Sequence, residues 1–84
     1  MITVKLYGLL RLDTGLQQVQ TEAATARDLR PAILREFQRL CPAANIKKRD
    51  LDGCVLMVNG TTPKPNTPLS ETDEVLLFPP VCGG

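Results

Sequence analysis

The stretch Leu29-Arg30-Pro31-Ala32-Ile33-Leu34-Arg35-Glu36-Phe37-Gln38-Arg39-Leu40 decides the fold, because it is the one long segment with a helical period in a chain of otherwise short apolar runs. Leu29, Ile33, Phe37 and Leu40 recur at helical intervals and predict one amphipathic helix. Thr25-Ala26-Arg27-Asp28 before it has the spacing of a capping box, with Asp in place of the usual Glu or Gln. Pro31 is tolerable only near the helix start, since deep in a helix it removes a backbone bond at about 3 kcal/mol, so the helix is expected to begin near Asp28.

On the N-terminal side, Ile2-Thr3-Val4-Lys5-Leu6-Tyr7 alternates apolar and polar residues. A second short alternating run, Gln17 to Glu22 around Val19, follows Asp13-Thr14-Gly15, and the two read as a hairpin. On the other side, Cys41-Pro42 ends the helix and Ala43 to Gly53 reads as a polar connecting loop anchored by Ile46 and Leu51. Cys54-Val55-Leu56-Met57-Val58, closed by Asn59-Gly60, has the continuous apolar character of a central strand buried on both faces. Thr61 to Pro68 carries three prolines and is expected to be irregular; Glu71-Thr72-Asp73 then turns into a last strand, Val75-Leu76-Leu77-Phe78. Strand, strand, helix, strand, strand is an α+β order, and it fits a ubiquitin-like β-grasp: a mixed sheet of four to five strands with one main helix across it.

Composition excludes several kinds of function. With 84 residues, 43% of them hydrophobic, the chain holds one small core. A net charge of +1 and only one tyrosine and two phenylalanines leave no basic aromatic surface for nucleic acid and no pull towards anionic membrane. Without histidine the chain cannot assemble a Ser-His-Asp or Cys-His site, so no catalysis is expected from it alone. The three cysteines, Cys41, Cys54 and Cys82, form no CxxC pair and suit neither a zinc set nor a disulfide framework. Reduced thiols, no signal-peptide pattern and no apolar run of membrane-span length point to a cytoplasmic protein.

Residues 1–78 are therefore read as the folded domain and residues 79–84, Pro79-Pro80-Val81-Cys82-Gly83-Gly84, as a tail that does the work. Two prolines fix φ and lack N–H groups, so they stop the sheet and start an extended segment. Four further residues span about 13–14 Å, enough to enter a partner's active site. Gly83 and Gly84 lack a Cβ and pass narrow channels, and the group left at the tip is the Gly84 carboxylate, which must be activated before it reacts.

The segment from Asp73-Glu74-Val75 through Phe78-Pro79-Pro80-Val81 to Gly83-Gly84 resembles the MoaD/ThiS family of ubiquitin-like sulfur carriers, most of all the MoaD branch, the small subunits of molybdopterin synthases. Val58-Asn59-Gly60 and Leu6-Tyr7-Gly8 to Arg11 also look like family positions. Thr72 stands where a turn glycine is frequent, and Cys82 where a small hydroxyl or methyl residue is usual; Cys82 is read as a small spacer.

The resemblance implies that an adenylyltransferase of the ubiquitin-activating MoeB/ThiF type adenylates Gly84 with ATP, and that a sulfur donor converts the carboxylate to a thiocarboxylate. The chain itself binds no cofactor; its cargo is the covalent sulfur on Gly84. The recipient is then a molybdopterin synthase large subunit of the MoaE type or another sulfurtransferase, such as one building thiazole; the same activated carboxylate equally suits a ubiquitin-like protein modifier that joins Gly84 to lysines of its targets. Phe78, Pro79, Pro80, Val81, Cys82 and Arg11 are the implied partner contacts, although Phe78 also reads as a core residue closing the last strand.

Overall fold

The computed structural model describes residues 1–79, so the expected positions Pro80, Val81, Cys82, Gly83 and Gly84 lie outside the described residues. In chain order the elements are β1 (Ile2–Leu6), α1 (Leu9–Thr14), β2 (Gln18–Thr21), α2 (Ala26–Leu40), a single 3-10 turn (Pro42–Ala44), α3 (Lys48–Asp52), β3 (Val55–Val58) and β4 (Val75–Phe78). The sheet order is β2-β1-β4-β3, with β1 antiparallel to β2, β4 antiparallel to β3, and β1 parallel to β4. With α2 packed across this sheet, the chain has the β-grasp architecture expected from its sequence.

Alternation explains the core. Ile2, Val4 and Leu6 of β1, Val19 of β2, Leu56 and Val58 of β3, and Val75 and Leu77 of β4 face α2 and are buried. The helix meets them with Ala26, Leu29, Ala32, Ile33 and Phe37, while Leu40, expected on this stripe, is 45% exposed. It is on the same face as Leu29 and Ile33 but is the last helical residue, so its exposure goes with its place at the end of the helix.

The helix starts two residues before the expected Asp28, and the reason is tertiary. Its first N–H groups are taken by a loop distant in sequence: Ala26 N–H donates to the Thr67 carbonyl at 2.9 Å and Arg27 N–H to that of Pro65 at 3.0 Å. The Thr25 hydroxyl donates to the Asp28 carboxylate at 3.1 Å, so the two capping-box residues bond each other and the loop supplies the cap. Pro31 is thus the sixth helical residue. It lies on the exposed side of the helix, as does Arg27, whose carbonyl the missing N–H would have bonded.

Three expectations are corrected. The connection between β1 and β2 holds α1, closed by Gly15 at φ 73° with its N–H on the Arg11 carbonyl at 2.9 Å and anchored by buried Leu10. The segment read as a loop contains α3, although its anchor Leu51 is buried as expected and Lys47, Lys48 and Arg49 are exposed. Finally, β3 is an edge strand: among the described residues it pairs only with β4, and Val55 is 39% exposed. The apolar run marked a strand, but it did not distinguish centre from edge.

The turn after β3 is built by Asn59 and Gly60, both left-handed at φ 52° and 81°. The Asn59 side chain ties it to the start of β4: its Oδ1 accepts from Glu74 N–H at 2.9 Å, and its Nδ2 donates to Asp73 Oδ1 at 3.1 Å. Asp73 Oδ2 also accepts from Ser70 N–H at 2.8 Å, closing the Ser70 to Asp73 turn. Thr72 fits there without strain, since Asn45 and Asn59 are the only non-glycine residues of positive φ among those described.

These bonds, the Ser70 N–H first and then the Asn59 amide, hold the Asp73 carboxyl below its ordinary pKa. Because the folded state binds this proton less readily than the unfolded one, the contribution of Asp73 is complete above the ordinary carboxylate value of about 4 and is lost as pH falls through the lower folded value. Melting curves between pH 5 and pH 2 are expected to show a smaller acid loss in Asp73→Asn than in the parent. Equal acid losses would remove Asp73 from this role.

Candidate functional site

The place where β4 leaves the sheet is set by its neighbours. Because β1 and β4 run parallel, with Leu6 opposite Leu77, both strands end at the same side of the molecule. Tyr7 N–H donates to the Leu77 carbonyl at 3.2 Å, extending the pairing one residue past β1. On the sheet face away from α2, the rings of Tyr7 and Phe78 stack with centroids 4.8 Å apart and planes 16° apart. A stack of this kind contributes about 0.5–1.5 kcal/mol beyond its buried area, so it fastens the last residue of the sheet. Phe78 is therefore not the core residue that its place in an apolar strand predicted. Strand alternation puts Val75 and Leu77 inside and leaves Leu76 and Phe78 half-buried on the open face.

Pro79 follows directly and is half-buried. It lies against Gly8, where any Cβ would stand 2.8 Å from Pro79 Cγ. Gly8 also has φ 61°, so both its backbone angle and this close approach call for glycine. Its carbonyl accepts from Arg11 N–H at 3.1 Å, opening the first turn of α1. The chain leaving β4 thus starts beside α1, whose exposed face carries Leu9, Arg11 and Leu12.

Of the residues singled out in the sequence, Phe78 and Pro79 sit together at this exit, and Arg11 lies one helical turn beyond Gly8 on the neighbouring helix. Pro80, Val81, Cys82, Gly83 and Gly84 lie outside the described residues. Sequence reasoning missed Tyr7 and Gly8 as the elements that hold the exit. The signal was present in the apolar-polar pattern of β1, which places Tyr7 on the same face as Phe78 once the two strands are paired in parallel.

The body itself offers little chemistry. Burial raises the thiol pKa of Cys54, and to a smaller extent of burial that of Cys41, so neither is held as a thiolate. The Cys54 thiol donates to the Asp50 carbonyl at 3.1 Å. Among the described residues no cluster of histidine, cysteine and carboxylate side chains is arranged for a metal ion, and no helix is long and apolar enough to cross a membrane.

The ThiS family model matches residues 4–84, nearly the whole chain and including the C-terminal segment. This chain belongs to the ThiS family. Among solved structures, SAMP1 from Haloferax volcanii, a small archaeal modifier protein, is 26% identical with a TM-score of 0.71, covering 99% of this chain and 98% of that one. A chain of the complex of subunits 1 and 2 of molybdopterin-converting factor from Helicobacter pylori 26695 is 28% identical with a TM-score of 0.61, covering 99% and 97%. The Amycolatopsis orientalis BexX/CysO complex contains a chain of the same fold, 21% identical over 100% of both chains with a TM-score of 0.65. No curated protein matches the chain significantly. The family read from the sequence is thus borne out, and the neighbours include a small archaeal modifier protein and chains solved in complex with a partner protein.

Proposed function

We propose that this ThiS-family protein is a sulfur carrier whose Gly84 is adenylated and converted to a thiocarboxylate, and that it serves as the small subunit of a molybdopterin synthase. The observation that carries the reading is the run Phe78-Pro79-Pro80-Val81-Cys82-Gly83-Gly84 issuing from a central strand, with its first two residues fixed by Tyr7 and Gly8. In this scheme the Gly84 carboxylate attacks the α-phosphate of ATP on a MoeB/ThiF-type partner, releasing pyrophosphate. A sulfur nucleophile from the donor then displaces AMP, and one carboxylate oxygen has been exchanged for sulfur. The loaded tail enters a MoaE-type large subunit, which delivers the sulfur to a pterin precursor. Arg11, Phe78, Pro79, Pro80, Val81 and Cys82 serve as the partner contacts.

Intact-mass measurement after incubation with the activating enzyme, ATP and sulfide tests this directly. The chain is expected to gain the mass difference between sulfur and oxygen, located at Gly84 by fragmentation. An unchanged mass with an enzyme that loads a known carrier would overturn the proposal. The likeness to SAMP1 supports a second reading, a protein modifier joined through Gly84 to lysines. Lysine-linked adducts of this chain in cells, without a thiocarboxylate form, would favour it.

A further inference from the structure

Among the described residues, the outer edge of β3 carries an unused half of a strand pairing. Tyr7 N–H bonds the Leu77 carbonyl and Asn59 N–H bonds the Glu74 carbonyl, which fixes the alternation: Leu77 points to β1, and Asn59, Met57 and Val55 point to β4. Leu56 and Val58 consequently turn their N–H and C=O groups away from the sheet. Val58 is satisfied, exchanging both bonds with Thr61 at 2.8 and 3.1 Å across the Asn59-Gly60 turn. Continued in that register, the returning chain would set residue 63 opposite Leu56. That residue is proline, which has no N–H to give, and a fifth strand stops at a single bridge.

What remains is a groove of about 560 Å³ along the β3 edge, walled by Arg27 and Arg30 of α2 on one side and by Thr62 and Pro63 on the other, with Val55 and Leu56 as its base. No acidic side chain lines it. Arg30 is half-buried and spends Nε and Nη2 on the carbonyls of Leu51 and Cys54 at 3.1 and 2.9 Å, and Arg27 gives Nη2 to Asn66 Oδ1 at 2.8 Å. Neither forms an ion pair among the described residues, and each guanidinium keeps further N–H donors.

We infer that this edge is a docking site for one extended segment of a protein partner that carries carboxylates on alternate residues. Such a segment takes the Leu56 N–H and C=O as a new edge strand, and its period of two turns its acidic side chains towards Arg27 and Arg30. Its other side chains then lie beside Val55 and Met57 on the open face. A second copy of this chain is a poorer occupant, because edge-to-edge pairing brings the arginines of both copies into one groove. The inference stands apart from the chemistry of Gly84.

The test is an NMR titration of the full chain with the capped peptide Val-Asp-Val-Glu-Val, and with Val-Lys-Val-Lys-Val as its opposite. The acidic peptide is expected to shift the amides of Leu56, Arg27 and Thr62 and to slow exchange at Leu56 while leaving Met57 unchanged. The lysine peptide should bind more weakly by up to about thirtyfold, since each of the two exposed charge pairs is worth up to about fivefold. Arg27→Glu, at an exposed position, should weaken the acidic peptide by about fivefold while the chain, having lost its surface bond to Asn66, still melts cooperatively. Absence of shifts at millimolar peptide, equal binding of both peptides, or shifts confined to other surfaces would overturn the inference. So would concentration-dependent protection of Leu56 without peptide, which would assign the edge to a second copy.

Discussion

Deleting Gly83 and Gly84 is expected to abolish sulfur loading while leaving the melting temperature within experimental error of the parent. Among the described residues the core closes with Leu77 and is supplied by elements that end at Phe78, so deleting the two glycines leaves all of it in place. Their loss moves the terminal carboxylate back by two residues, about 7 Å of extended chain. An active site that tolerates a misplacement of only about 1 Å before losing about a hundredfold in rate will not follow it that far. The truncated chain still has a carboxylate at its end, so failure to load separates reach from the mere presence of the group. Loading at more than about a hundredth of the parental rate would mean that the activating partner does not read chain length, and the proposed role of the glycine pair would fall.

Phe37→Ala is the substitution with the largest expected effect on stability. Phe37 is fully buried and is the largest of the buried side chains, placed where the C-terminal half of α2 meets the core. Emptying such a site costs about 3–5 kcal/mol through lost transfer energy and the cavity left behind. A domain of this size has roughly 4–13 kcal/mol in all, so the variant should melt at least about 12 °C lower or fail to fold at ambient temperature. Calorimetry or thermal circular dichroism measures it. A fall of less than about 5 °C would contradict the packing of α2 on the sheet described above. Leu40→Ala, at the exposed end of the same helix, should by comparison change little.

Much of this architecture could be read before any coordinates. Alternation gave β1 and its partner β2, helical spacing gave α2, and an acidic turn followed by an apolar run gave β4. The helices α1 and α3 escaped because six and five residues are too few to declare a period. Helices so short depend on what they bury, Leu10 and Thr14 in α1 and Leu51 in α3, more than on a pattern long enough to be read. The start of α2 was misplaced because its cap comes from Pro65 and Thr67, which no local pattern near Thr25 announces. The edge position of β3 depends on the pairing order, and a run of apolar residues looks alike in the middle of a sheet and at its rim.

The candidate site divides similarly. The run proposed to do the work could be singled out because proline, glycine and a carboxylate carry their chemistry in their covalent structure. The clamp that holds the exit, Tyr7 on Phe78 and Gly8 under Pro79, required knowing that the first and last strands are neighbours.

That neighbourhood also decides how the molecule bears load. β1 starts near the N-terminus at Ile2 and β4 finishes at Phe78, side by side and pointing the same way. Tension applied between the two ends therefore shears the whole ladder between Val4–Val75 and Leu6–Leu77 at once and does not unzip it bond by bond. A pull on the C-terminal end against an anchored N-terminal end is thus borne by the two middle strands of the sheet.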